Sequence, residues 1–240
     1  MKRAWLNLRY ERQPLFAQGL ERLGYEVHNG LTESPGEHDI LVTWNRIMDG
    51  DLCARIFADM ERPVVVIENA TWGNWFAGRK WYTMARDYHN TAGKFPVGGH
   101  ERWDSLEVEL AAFRQEGETV ILPSRGIGPS VQRMPANFVE RMRAKYADAR
   151  VRVHPGQRQV KELMDDLRNC ERVVTWGSGA AVKALMWGCK VISYMPNWIG
   201  ACENTDEARL AMFRELAWGQ VTFDEIQSGE AFERVLAWAA

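Results

Sequence analysis

The chain has 240 residues, with 30 Lys and Arg against 32 Asp and Glu and a formal net charge of −2. Its 46% hydrophobic and 26% charged shares are those of a folded globular chain and exclude long disorder. The near-neutral balance removes the bulk electrostatic case for nonspecific nucleic-acid binding, and the length suits one large domain or two of about 120 residues. No run of 18 apolar residues occurs, and the start, MKRAWLNLRYERQ, has no apolar signal-peptide core, so no membrane span and a cytoplasmic location are expected. Cys53, Cys170, Cys189 and Cys202 are widely spaced and read as free thiols. The five histidines show no metal-ligand spacing, so no metal is expected.

In chain order, residues 4–8 read as a short strand, 14–23 as an amphipathic helix ended by Gly24, and 25–28 as a second strand. A buried strand at 39–43 leaves through Trp44-Asn45-Arg46. A helix at 51–60 precedes PVVVI, a strand at 63–67 that leaves through Glu68-Asn69. Residues 70–100 break this rhythm as a Trp-, Gly- and His-rich loop with a short helical piece near 81–88, and 106–114 reads as a helix.

The rhythm then restarts. Residues 119–122 form a strand that leaves through Ser124-Arg125-Gly126-Ile127-Gly128, followed by a helix at 136–146 and a strand at 151–153 that leaves through His154-Pro155-Gly156. Helix 161–169, strand 172–175, helix 180–187 and strand 190–194 come next, and helices at 207–218 and 228–239 close the chain. Strand–helix alternation with continuous Val/Ile runs implies parallel sheets covered on both faces. The expected fold is therefore α/β: two Rossmann-like lobes facing one cleft, residues 1–116 and 117–240.

VVTWGSGAAVKALMWGCKVIS, residues 173–193, carries the most chemistry. An apolar strand runs into a Gly-Ser-Gly turn that opens a small-residue helix, and the first amides of such a helix favour an anion. Gly177 and Gly179 allow close approach of a phosphate, Ser178 can cap the helix or donate to a phosphate oxygen, and Trp176 stands beside the turn. In open parallel sheets ligands sit beyond the carboxyl ends of the strands. Arg125, Gly126, His154, Pro155 and Gly156 share that address with the Ser178 turn. Each also has a plain structural use: a helix cap for Ser178, a loop hydrogen bond for His154, a surface ion pair for Arg125. Most of the eleven tryptophans are expected in the core.

SRGIG, HPG and TWGSGAAVKALMWG together resemble the donor half of two-lobed GT-B glycosyltransferases, in particular the capsular-polysaccharide, sialyl- and Kdo-transferase branches. The chain also resembles a group of phage and prophage proteins in which the TWNR, EN, HN and RGIG segments recur. The first resemblance implies metal-independent transfer of a sugar from a nucleotide-sugar co-substrate, with no further cofactor. It places the donor phosphate against His154, Ser178 and Gly179. The second resemblance implies a hydroxyl acceptor on a modified base in phage DNA, beside a glycan as the other acceptor class. The acidic motif that supplies the base in several bacterial sialyltransferases has no counterpart here.

Sugar transfer needs charge stabilisation on the departing phosphate and a base for the acceptor hydroxyl. Arg125 and His154 suit the first task. Glu68, at the end of PVVVI, is the leading candidate for the second, with His89 next and Asp87 as an orienting partner. Arg9, Asn45, Arg46 and Asn69 are candidate acceptor-binding residues. The competing reading is a noncatalytic nucleotide- or phosphosugar-binding protein of the same fold.

Overall fold

The computed structural model describes residues 2–88, 93–126, 129, 132–154 and 162–237. It divides into two compact units, Met1–Arg102 with Glu215–Ala240, and Trp103–Arg214. The division differs from the expected 1–116 and 117–240, because the C-terminal segment completes the first unit. Its strand β11 (Gln220–Thr222) pairs with β6 (Arg79–Arg86), and its helices α8 (Phe223–Ser228) and α9 (Glu230–Ala237) join the first core.

The first unit alternates β1 (Arg3–Asn7), α1 (Gln13–Arg22), β2 (Glu26–Asn29), β3 (Ile40–Trp44), α2 (Asp49–Asp59) and β4 (Val64–Asn69). Pro14 sits in the first turn of α1, where a missing N–H costs nothing, and Gly24 at φ 77° turns the chain out of the helix. The sheet order is β11-β6-β4-β3-β1-β2, with β5 (Trp75–Phe76) paired to β6. The four strands from β4 to β2 run parallel, as expected; β6 runs antiparallel to both β4 and β11.

The expected helical piece near 81–88 is this strand β6. A two-residue loop, Ala77 at φ 44° and Gly78 at φ 71°, closes the β5–β6 hairpin with Phe76 opposite Arg79. Two consecutive positive φ values match the right-handed twist of a tight hairpin, which needs no crossover helix. Trp81, Tyr82, Thr83, Met84 and Ala85 are all buried, so β6 is a central strand covered on both faces.

Period-two alternation sorts the first core. Ala4, Leu6, Ile40, Val42, Val65 and Ile67 face Phe16 and Leu20 of α1, Ile226 of α8 and Phe232 of α9. The intervening Trp5, Leu41, Val64 and Val66 face Ala54 and Phe57 of α2. Below the sheet, Asp39 is buried and accepts hydrogen bonds from the Arg3 guanidinium, the Trp5 indole and the Gly36 amide.

The chain enters the second unit within α3 (Glu101–Asp104) and there forms β7 (Glu118–Leu122), α4 (Phe138–Lys145), β8 (Arg150–Val151), α5 (Leu163–Asp166), β9 (Cys170–Thr175), α6 (Gly179–Met186), β10 (Lys190–Ser193) and α7 (Asp206–Ala217), within which it returns to the first unit. The sheet is all parallel in the order β10-β9-β7-β8, and Ile121 and Val174 pack on Phe138 and Met142 of α4. The expected helix at 106–114 does not form. Instead the Ala111 and Arg114 amides donate to the carbonyls of Met186 and Gly188, and the Arg209 guanidinium donates to the Ala111 carbonyl. These partners satisfy the backbone in place of a helical ladder.

Candidate functional site

Strand order fixes where each sheet opens. From β7 the chain moves to β8 on one side, then returns to β9 on the other side of β7 and continues outward to β10. The connections after β7 and β9 therefore leave the sheet in opposite directions, and the carboxyl ends of these two neighbours bound a crevice. The β7 exit carries Arg125 and Gly126; the β9 exit carries Trp176, Gly177 and Ser178. His154 follows β8, the neighbour of β7 on its other flank. Three of the expected donor-site segments thus leave adjacent parallel strands at one edge.

The turn after β9 is held by Thr175. Its buried hydroxyl donates to the Leu122 carbonyl at 2.8 Å and accepts from the Ser178 amide at 3.0 Å, tying the β7 and β9 exits together. Gly177 sits at φ 65°, and a Cβ there would lie 2.3 Å from the Met195 sulfur. Gly126 has φ 67°. Both turns need the left-handed region that glycine enters without strain. Ser178 is the N-cap of α6, its hydroxyl accepting from the Ala180 amide at 3.3 Å, and Gly179 is the first helical residue. The cap leaves the helix dipole pointing at the crevice. Trp176 is engaged in packing, with its indole N–H on the Gln132 carbonyl at 3.1 Å and its ring edge-on to Phe138.

Arg125 is exposed, and no carboxylate pairs with it among the described residues. His154 feels it: partial desolvation, then the positive charges of Arg125 and Arg152, hold the imidazole below its ordinary pKa. Arg152 is itself paired with Asp166, which also binds Arg150. The edge therefore carries an uncompensated positive charge beside a neutral imidazole. Gln132 was not anticipated from the sequence. It is 8% exposed, and among the described residues neither side-chain amide atom has a hydrogen-bond partner. Pro155 and Gly156 lie outside the described residues.

The first unit has the same strand order, β4-β3-β1-β2, and so the same kind of crevice between β1 and β3. Arg9 is exposed beyond β1, its carbonyl accepting from the Arg12 amide. Asn45 follows β3 at φ 62°. With its amide nitrogen turned toward Glu68 it donates to both carboxylate oxygens, at 3.0 and 3.3 Å. Glu68 is half-buried near the end of β4, at the edge expected of it. Arg46 is buried and fully engaged, with Asp51, the Asp87 carbonyl and the Tyr88 ring around it. Asn69 accepts from the Asn74 side-chain amide at 3.0 Å and so closes its own loop.

Asp87 lies elsewhere. Its amide donates to the Val64 carbonyl, whereas Glu68 pairs with Thr83, so Asp87 is at the opposite end of β4, roughly 13 Å from Glu68 along β6 at strand rise. It forms an ion pair with Lys94 at 2.6 Å. His89 lies outside the described residues. Among the described residues no group of three or more His, Cys, Asp or Glu side chains could hold a metal ion, and no helix is long and apolar enough to cross a membrane.

No protein-family model matches this chain, and no curated protein matches it. A solved structure does: KpsC of Thermosulfurimonas dismutans, titled a beta Kdo 2,4 transferase, is similar over 90% of this chain and 89% of its own, with a TM-score of 0.53 at 13% sequence identity. At that identity the likeness is one of fold: the α/β arrangement of this chain is similar to that of the titled structure.

Proposed function

We propose that the protein is a glycosyltransferase that moves a sugar from a nucleotide-sugar donor to a hydroxyl acceptor. The observation that carries the reading is the second unit's edge, where Arg125, His154 and the capped N-terminus of α6 leave three adjacent parallel strands beside a topological switch point. Such an edge suits a donor phosphate and meets the charge that develops on it as the glycosidic bond breaks. The fold shared with a structure titled a beta Kdo 2,4 transferase supports the same class. In this reading Glu68 of the first unit takes the acceptor proton, assisted by Asn45, which fixes its carboxylate. The acceptor hydroxyl belongs to a glycan. A modified base in DNA is the other acceptor class, and a net charge of −2 lends it little support.

One observation favours the noncatalytic alternative: Asn45 donates to both oxygens of Glu68, and hydrogen bonds to a carboxylate weaken it as a base. One experiment separates the two. The protein is melted with UDP-, CMP-, GDP- and ADP-sugars, and each is then followed for hydrolysis and for transfer. A transferase is stabilised by one donor class and turns it over, and Glu68→Gln cuts transfer by about 10²–10⁴-fold while donor stabilisation persists. Stabilisation without turnover establishes the binding protein. Absence of any donor effect, or normal transfer by Glu68→Gln, overturns the assignment.

A further inference from the structure

Arg12 combines two features at the first unit's edge: its guanidinium is packed on an aromatic ring, and no acidic side chain pairs with it among the described residues. It lies between the exit of β1 and the start of α1, and its guanidinium is stacked on the Trp44 ring, 3.4 Å from the centroid. At the same edge Arg46 is bound to Asp51, and Arg9 is exposed. For Arg12, among the described residues, neither a carboxylate nor a carbonyl accepts from the guanidinium, and its Nη1 is shut off from solvent without a hydrogen bond. Stacking consumes the face of a guanidinium and leaves its in-plane N–H fork, the group that matches a carboxylate or phosphate in bidentate fashion. Arg12 is half-buried: Nη1 is closed off, while Nε and Nη2, for which no acceptor stands among the described residues, stay open to an anion arriving from outside.

Its place in the fold is informative. Arg12 follows β1 and Trp44 ends β3, the two strands that bound the switch-point crevice, and Asn45 and Glu68 stand on the next positions of the same edge. We propose that the Arg12–Trp44 pair is an anion-reading subsite for the acceptor, which is a saccharide carrying a carboxylate or phosphate group. The guanidinium holds the anionic group, and the Asn45–Glu68 pair meets a sugar hydroxyl. The saccharide identity rests on the transferase reading; the anion preference does not.

The test is isothermal calorimetry of the full chain with three probes: a neutral methyl hexoside, the corresponding methyl hexuronide, and a hexose 6-phosphate. The wild type binds one or both charged probes at least about tenfold tighter than the neutral one, the difference expected of a charge-assisted hydrogen-bond pair. Arg12→Gln removes that preference. Arg12→Lys, which keeps the charge and loses the fork, retains only part of it and guards against a folding defect. Equal binding of all three probes by the wild type, or an undiminished preference in Arg12→Gln, overturns the proposal. So does tighter binding of a hydroxymethylcytosine oligonucleotide than of either charged sugar. Failure of every nucleotide-sugar to stabilise the protein sinks the transferase reading and leaves the calorimetric preference standing, so the two failures are distinguishable.

Discussion

In the first unit the order β4-β3-β1-β2 opens a crevice between β1 and β3; in the second, β10-β9-β7-β8 opens the equivalent crevice between β7 and β9. The residues at the two edges are of different kinds. At the first, polar groups mostly neutralise one another: Arg46 with Asp51, Asn45 with Glu68, Asn69 with Asn74. At the second, Arg125 and a helix N-terminus present positive potential with little internal compensation, beside two glycines at positive φ and a His154 whose pKa is held down. One topology therefore serves two recognition chemistries. An edge that carries its own counter-charges reads hydroxyls and shape, and Arg12 adds one charge-reading point to it. An edge with surplus positive potential awaits an anion.

The largest effect is expected where the C-terminal segment seals the first unit. Gly19 lies in α1, and a Cβ there would sit 1.9 Å from the Ile226 carbonyl oxygen of α8. A helical Gly→Ala change ordinarily stabilises by about 1 kcal/mol. Here Gly19→Ala is expected to destabilise by about 3 kcal/mol or more, because backbone cannot yield as a side chain does. Gly78→Ala, at φ 71° with open space around it, is expected to cost only about 1 kcal/mol. Urea melts of both variants check this. Equal losses would show that α1 and α8 are not in the close contact that makes the C-terminal segment part of the first unit.

The next comparison is between the arginines of the two edges. Arg46→Gln strips a buried guanidinium from Asp51 and from the Asp87 carbonyl, with an expected loss of about 2–3 kcal/mol in stability. Arg125→Gln should change stability by no more than about 0.5 kcal/mol, since it is an exposed site, yet weaken nucleotide-diphosphate binding about tenfold. Melting and calorimetry on the same two variants read both quantities. Should Arg125→Gln bind the diphosphate like the wild type, the contrast between an internally neutralised edge and an anion-reading edge fails.

Much of this was legible in the sequence because it depends on local pattern. Val/Ile runs set the parallel strands, Pro14 and Gly24 bounded α1, and the Gly-Ser-Gly turn marked the N-terminus of α6. What escaped was non-local. FAGR closes a tight hairpin, but Ala77 in place of the usual Asn or Asp hides the signal, and the pattern of residues 81–88 alone reads as helical. Residues 106–114 have helical composition, yet their amides find Met186 and Gly188. Strand β11 is three residues long and gains meaning only from β6, so the return of the C-terminal segment to the first unit could not be seen from spacing. At the site, strand ends were predictable and pairing was not. Arg46 is spent on Asp51, Asp87 sits at the far end of β4, and Gln132 and Arg12 emerge only from what does and does not bond to them.

Acid unfolding probes how completely the first unit satisfies its charges. Burial alone would raise the Asp39 carboxyl; the Arg3 guanidinium, the Trp5 indole and two backbone amides hold it at about 2 instead. Burial likewise works against Glu225, and Arg102, the Thr222 amide and Arg234 bring it to about 2. Both groups titrate lower folded than unfolded. Their stabilisation is thus complete above about pH 5 and lost as the pH falls toward 2. Circular dichroism from pH 6 to 2 is expected to show stability declining through this window, and Asp39→Asn should flatten that decline. An unchanged slope in Asp39→Asn would show that the Arg3–Asp39 pair does not couple to folding.

The smallest effect falls on His154, and it bears directly on the second edge. Desolvation and the charges of Arg125 and Arg152 keep its imidazole neutral at pH 7. A phosphate seated between Arg125 and the α6 N-terminus offsets those charges and raises the imidazole pKa, so the complex takes up a proton that the free protein lacks. Binding of a nucleoside diphosphate should therefore tighten a few-fold as the pH falls from 8 through the bound-state pKa, and level off below the free-state value. The ligand's own phosphate ionisation works the opposite way near pH 6, which makes the informative quantity the difference between wild type and His154→Gln across the pH series. Loss of the added low-pH affinity in His154→Gln places the imidazole against the anion. Superimposable pH profiles would remove His154 from the site.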